Sequence, residues 1–283
     1  MKNLIIFSLC MTLFMQCSSN NMNLPTEDDG NYFVLNKNDI TDKAQHLEHY
    51  EFFSKYITGL NNYIFKGIDK VQSTAMDGGG YFIGLKADPP ESPIGYDIEF
   101  FDTQIIDAPR TTSYCSGATY SAYIEAMNFI SQDINLSKPD SARMESIRMQ
   151  EIDGCRREDH VKLWGKWNAD GFGSHFALVQ YTGMGKEVSP SQARPGDFAN
   201  ISWKSGNGHS VVFLSWVKDD EGKKYMLYWS SQKGTNGLGD QLVSIDRIKN
   251  VKIVRLTNPE AIRSFDVNNE NINRQIPGDD IIF

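Results

Sequence analysis

Thr111-Thr112-Ser113-Tyr114-Cys115-Ser116-Gly117-Ala118 is the stretch on which the fold turns. A Thr-rich approach favours extended backbone. It delivers a cysteine to the first turn of a helix expected over residues 116–130, where Gly117, Ala118, Ala122 and Ala126 allow close packing. Unpaired N–H groups and the helix dipole at such a position favour thiolate over thiol. The same N–H groups, that of Ser116 among them, can hold the negative oxygen of a tetrahedral intermediate. Tyr114 can donate its hydroxyl to that oxygen or line the cleft, and packing is the plainer role. For Cys115 the plainer role is that of a small buried residue.

Downstream, a charged helical insert is expected at 138–166, followed by the glycine-punctuated loop Trp167-Asn168-Ala169-Asp170-Gly171-Phe172-Gly173. The pattern then shifts to period 2, predicting strands at 197–203, 209–217, 224–232, 242–245 and 251–256. Trp167, Asn168, Asp170 and Trp203 are candidates for the rim of a binding cleft, with core or turn roles as the alternative. The segment after 258 is polar and reads as a tail.

A thiolate nucleophile needs a base. Of five histidines, His46 and His49 fall on a charged early helix and read as solvated, with no third ligand to make them a metal pair. His160 lies in the charged insert, and His175 opens an apolar helical stretch where a structural role fits better. His209 follows Gly206-Asn207-Gly208 and opens the strong strand Ser210-Val211-Val212-Phe213-Leu214-Ser215-Trp216. Such a place fixes a polar side chain while leaving its ring accessible, so His209 is the candidate base.

Upstream, Leu47, Tyr50, Phe53, Ile57, Leu60, Ile64, Ile68 and Val71 fall at helical spacing. They predict one long helix or two shorter ones on the flank of the domain, stopped by Gly78-Gly79-Gly80. Strand-like stretches at 81–85 and 96–101 flank a Pro89-Pro90 loop. Residues 17–38, polar and carrying Glu27-Asp28-Asp29, read as a tether. At the N-terminus, Lys2 precedes an apolar stretch at 4–15 that is short for a membrane span. It ends at Cys17, before Ser18-Ser19-Asn20-Asn21, and resembles a bacterial lipoprotein signal in which Cys17 would be acylated. Simple secretion after cleavage and an uncleaved anchor are the alternatives. With Cys10 and Cys17 so assigned, Cys115 and Cys155 remain for the body, enough for one disulfide in an oxidising compartment.

The 283 residues are 40% hydrophobic and 23% charged, a globular balance. A net charge of −8 argues against a nucleic-acid binder and against electrostatic attraction to an anionic membrane surface.

Three blocks resemble the NlpC-type cell-wall peptidases and the related CHAP amidases, bacterial branches of the papain-like cysteine peptidases. They are Tyr114-Cys115-Ser116-Gly117, Arg194-Pro195-Gly196-Asp197-Phe198 and Gly208-His209-Ser210-Val211-Val212-Phe213, with twelve residues from Asp197 to His209. The resemblance covers about residues 105–256. It implies an α+β fold in which the nucleophile helix packs on an antiparallel sheet, within a hydrolase domain at 76–258 interrupted by an insert near 131–170. The helical segment at 39–75 would be an addition to that domain, and 259–283 its tail. The resemblance further implies a polar residue on the next strand to orient the imidazole, for which Gln232 and Ser230 are candidates on one face. An acidic residue or second histidine, common in the family, is missing from that strand.

The implied chemistry is amide hydrolysis through an acyl-enzyme on Cys115, with no metal or organic cofactor. The implied substrate is a peptidoglycan or other peptide, met by a protein exported and lipid-anchored in the cell envelope. A thiol acyltransferase and a non-catalytic envelope-binding lipoprotein are the competing readings. The catalytic reading requires Cys115 and His209 to converge on the same side of the sheet.

Overall fold

The computed structural model describes residues 31–40, 48–57, 59–81, 96–106, 114–148, 164, 173–269, 273 and 276–283. The expected leader, Cys17, most of the 81–85 stretch, Cys155, Trp167, Asn168, Asp170, His46 and His160 lie outside the described residues.

In chain order the elements are β1 (Val34–Asn36), α1 (His49–Phe53), α2 (Asn61–Ser73), β2 (Ile98–Phe100), β3 (Thr103–Ile106), α3 (Cys115–Asp133) and α4 (Ser141–Ile147). A π-helix (His175–Tyr181) precedes β4 (Gly185–Val188), β5 (Phe198–Trp203), β6 (Gly208–Lys218), β7 (Lys224–Gln232), β8 (Gly237–Ser244) and β9 (Ile248–Leu256). The main sheet runs β4-β9-β5-β6-β7-β8, all antiparallel, and β1 joins β6 in parallel. Helices on an antiparallel sheet make the fold α+β.

Strand alternation divides the interior in two. Phe198, Val212, Leu214, Leu227, Trp229 and Val254 face α2 and α3 in the larger core. Ala199, Ile201, Val211, Phe213, Trp216, Met226 and Tyr228 face the other way into a second core. α3 is buried along almost its whole length, which its small residues permit. At Gly67 of α2 a Cβ would meet the Ala122 carbonyl oxygen at 2.4 Å, so glycine sets how closely the two helices approach.

The Pro195-Gly196-Asp197 turn anchors the sheet. Gly196 takes φ +92°, and its N–H donates to the Phe213 oxygen at 2.8 Å. The fully buried Asp197 carboxylate accepts from Arg255 Nε and Nη2, each at 2.8 Å, from Asn61 Nδ2 at 2.9 Å and from the Arg194 N–H at 2.8 Å. One carboxylate thus ties β5 to β9 and to α2.

Several expectations are corrected. The segment read as a tether supplies β1, whose Leu35 is buried with the neighbouring Phe33. The early helical segment, by contrast, takes the second of its two expected forms, two shorter helices, α1 and α2, with a single 3-10 turn (Ser54–Tyr56) after α1. β8 begins at Gly237, five residues ahead of the expected strand. The polar tail contributes buried Ile262 and Phe265, and Phe283 stacks on Tyr32 at 5.0 Å.

Candidate functional site

Tyr114 caps α3 in extended backbone (φ −133°, ψ 178°), and Cys115 is the first helical residue, as the Thr-rich approach predicted. The thiol is buried, as are Tyr114 and Ser116. First-turn amides have no acceptor within their own helix, so those of Ser116 and Gly117 are available to a bound oxygen. The Ser116 hydroxyl is itself buried without a hydrogen-bond partner among the described residues. One turn on, Thr119 Oγ1 meets Ser210 Oγ at 2.8 Å and accepts from Trp164 Nε1 at 3.0 Å. The start of α3 therefore lies over the start of β6.

His209 is the second residue of β6 and is 8% exposed. Its Nε2 lies 3.4 Å from Gln232 Oε1, a long contact. The Gln232 amide is oriented independently, because its Nε2 donates to the Gly239 oxygen at 3.0 Å and to Thr235 Oγ1. With the amide nitrogen committed there, Oε1 faces the ring. His209 Nε2 then carries the proton, and Nδ1 holds the lone pair a base needs. Burial drives the His209 pKa down to about 4, and the Gln232 contact offsets only part of this, so the ring is neutral at physiological pH. Ser230, the other candidate partner, donates its hydroxyl to the Ser210 oxygen at 2.7 Å.

Tyr228 joins the two halves of the site. Its ring meets the His209 ring edge-on at 5.4 Å. Burial raises its pKa, the Arg247 charge opposes the rise, and negative charge on Cys115 adds to it. Tyr81 responds similarly: burial first, then Cys115, bring it to about 12. On the outer side Trp203, half-buried, lies 6.2 Å from the His209 ring, and the Arg247 guanidinium stands 6.0 Å from the Trp203 ring. Trp167 and Asp170, the other rim candidates, are outside the described residues.

One feature departs from the expected arrangement. Ser210 points toward α3, and alternation sends His209 to the opposite face, with Trp203 and Tyr228. Cys115 begins the helix that covers one face, and His209 is directed to the other face of β6, so the two stand at the same end of the sheet without the same-side convergence that the catalytic reading requires.

Sequence reasoning misplaced His49. It is fully buried, with Nδ1 at 2.9 Å from Asp69 and Nε2 at 2.7 Å from Asp240. Its partners lie 20 and 191 residues away, beyond the reach of local periodicity. His175 is also buried, meeting Glu187 at 2.9 Å in a structural pair. Tyr228, Tyr81 and Arg247 were not singled out as site residues. Tyr228 was legible, sharing a strand face with Gln232 at even spacing.

Among the described residues no cluster of His, Cys, Asp and Glu could hold a metal ion, and no helix is long and apolar enough to cross a membrane. No protein-family model, curated protein or solved structure matches the chain.

Proposed function

We propose that the protein is a cysteine-dependent amide hydrolase of the NlpC and CHAP type on a papain-like core. The observation that carries the reading is the set of His209, Gln232 and Tyr228 at the end of the sheet where α3 begins with Cys115. Neutral His209, protonated on Nε2 toward Gln232, takes the thiol proton on Nδ1 as the Cys115 sulfur attacks the carbonyl carbon. The carbonyl π-electrons move to oxygen, held by the amides of the first turn of α3. Collapse breaks the C–N bond, and the leaving amine takes the proton from His209. Water, deprotonated by His209, then cleaves the thioester and regenerates the thiol. Because His209 faces away from α3, this reading replaces the same-side convergence expected from the sequence with a meeting of the thiol and Nδ1 around the open end of the sheet where β6 begins. A peptide of the bacterial cell wall is the substrate class favoured by the resemblance, and export with a lipid on Cys17 agrees with it.

A second reading, a non-catalytic envelope-binding protein on the same scaffold, draws on the placement of His209 on the face away from α3. The pH dependence of Cys115 alkylation by iodoacetamide, followed by mass spectrometry of its peptide, separates the two. In a hydrolase the neutral imidazole takes the proton as the sulfur attacks, so alkylation below the ordinary cysteine midpoint of ~8.5 outpaces that of a free cysteine and His209→Ala slows it. An ordinary rate across that range, indifferent to His209 in a folded protein, overturns the hydrolase and leaves the binding scaffold.

A further inference from the structure

The orientation of Gln232 depends on residues 235–239, and that segment is held from outside the sheet. Gln232 Nε2 is fixed by Thr235 Oγ1 and the Gly239 oxygen. The end of α2 and the glycines after it clamp this turn. Leu238 N–H donates to the Gly78 oxygen at 2.8 Å, Gly80 N–H donates to the Asn236 oxygen at 2.7 Å, and Gln72 Nε2 reaches the Leu238 oxygen at 3.4 Å. The contact is so close that a Cβ on Gly237 would lie 1.9 Å from the Gly78 oxygen.

Directly after Gly239 comes Asp240, whose carboxylate takes His49 Nε2 at 2.7 Å. The other nitrogen of His49 meets Asp69 of α2, and the Asp69 carboxylate also accepts the backbone N–H groups of His49 and Tyr50 at 2.9 Å each. A ring with a carboxylate on each nitrogen must donate from both, and so it is an imidazolium. It is fully buried, and its two partners are the charged groups facing it, one from α2 and one from β8.

We propose that His49 is a positioning residue for the Cys115–His209 site. Its imidazolium ties α1 and α2 to Asp240, thereby holding Gly239 against Gln232 and setting the tautomer of His209. This rests on the hydrolase reading above. It gives the N-terminal helical segment a task in the chemistry that a mere addition to the domain would not have.

The test is a double-mutant cycle in the full chain, reading the rate of Cys115 alkylation at pH 6.5. His49→Ala and Gln232→Ala should each slow it about fivefold, the value of one well-placed hydrogen bond of ~1 kcal/mol. The double variant should be no slower than Gln232→Ala alone, because His49 acts through that amide. General loosening of the fold would not give this pattern. Ile262→Val, which trims a buried methyl in the segment after β9 and outside the Gln232–Gly239–Asp240–His49 chain, serves as the control and should leave the rate unchanged. If His49→Ala does not fold, Asp240→Asn takes its place, keeping an oxygen on His49 Nε2 while removing the charge. Multiplying effects, or a His49 or Asp240 variant with wild-type rate, overturn the inference while leaving the hydrolase reading intact. Loss of all dependence on His209→Ala overturns both.

Discussion

At the scale of single residues, the site is governed by which groups stay neutral. Burial keeps His209 unprotonated down to about pH 4, and Gln232 offers it only a neutral oxygen, at 3.4 Å. An imidazole with a carboxylate partner is more basic and better held once charged. Gln232→Glu should therefore raise the His209 pKa by at least about one unit, since an opposite charge within hydrogen-bonding distance typically shifts a group by 1–3. NMR titration of the imidazole measures it directly, and an unchanged titration would remove Gln232 as its partner. The choice of Gln232 over Ser230 could be framed from the sequence, because strand alternation places both on one face. Deciding between them needed the backbone of β6, where Ser210 presents the carbonyl that occupies Ser230.

At the scale of elements, the legible parts are those whose residues declare themselves locally. The expected 224–232 strand coincides with β7, and the expected helix from 116 falls inside α3. β-Branched and aromatic residues at period 2, and small residues at helical spacing, are local signals. The start of β8, Gly237-Leu238-Gly239-Asp240, has no such signal, and its pairing is imposed by β7 and the Gly78 strap. The Pro-Gly-Asp block was legible as a turn, but the role of its carboxylate was not, because Arg255 is 58 residues distant. Asp197→Ala strands that guanidinium, itself buried, without its counter-charge. Loss of one partner of a buried pair costs about 3–5 kcal/mol. Urea unfolding should show a loss of that size, and a loss below about 1 kcal/mol would mean that the pair adds little to holding β5 and β9 together.

At the scale of the whole molecule, two buried histidines pull stability in opposite directions with pH. Burial alone would lower the His49 pKa, but Asp240 and then Asp69 outweigh it and raise the group to about 9. Its contribution is fully present below the unfolded value of 6.5 and fades as pH climbs to about 9. For His209 the folded value of about 4 lies below 6.5, so its contribution is full above 6.5 and fades as pH falls to about 4. His175, also lowered by burial, adds to the acid side. The His49 and His209 shifts are each worth on the order of 3 kcal/mol. Melting temperature should therefore peak near pH 6.5, with His49→Gln flattening the alkaline slope and His209→Ala the acid one. A melting curve unaltered by either variant would dissociate these groups from stability.

The parallel pairing of β1 with β6 sets an order of events in time. Val34 lies beside Trp216, 182 residues later in the chain. A polypeptide that emerges from its N-terminal end holds Phe33 and Leu35 with nowhere to bury them until most of its length has been made. Closing so long a loop carries its entropy cost before any contact repays it. Joining β1 to the sheet is accordingly a late step of folding, and until then the outer half of β6 offers an unpaired edge to any other extended chain that reaches it first.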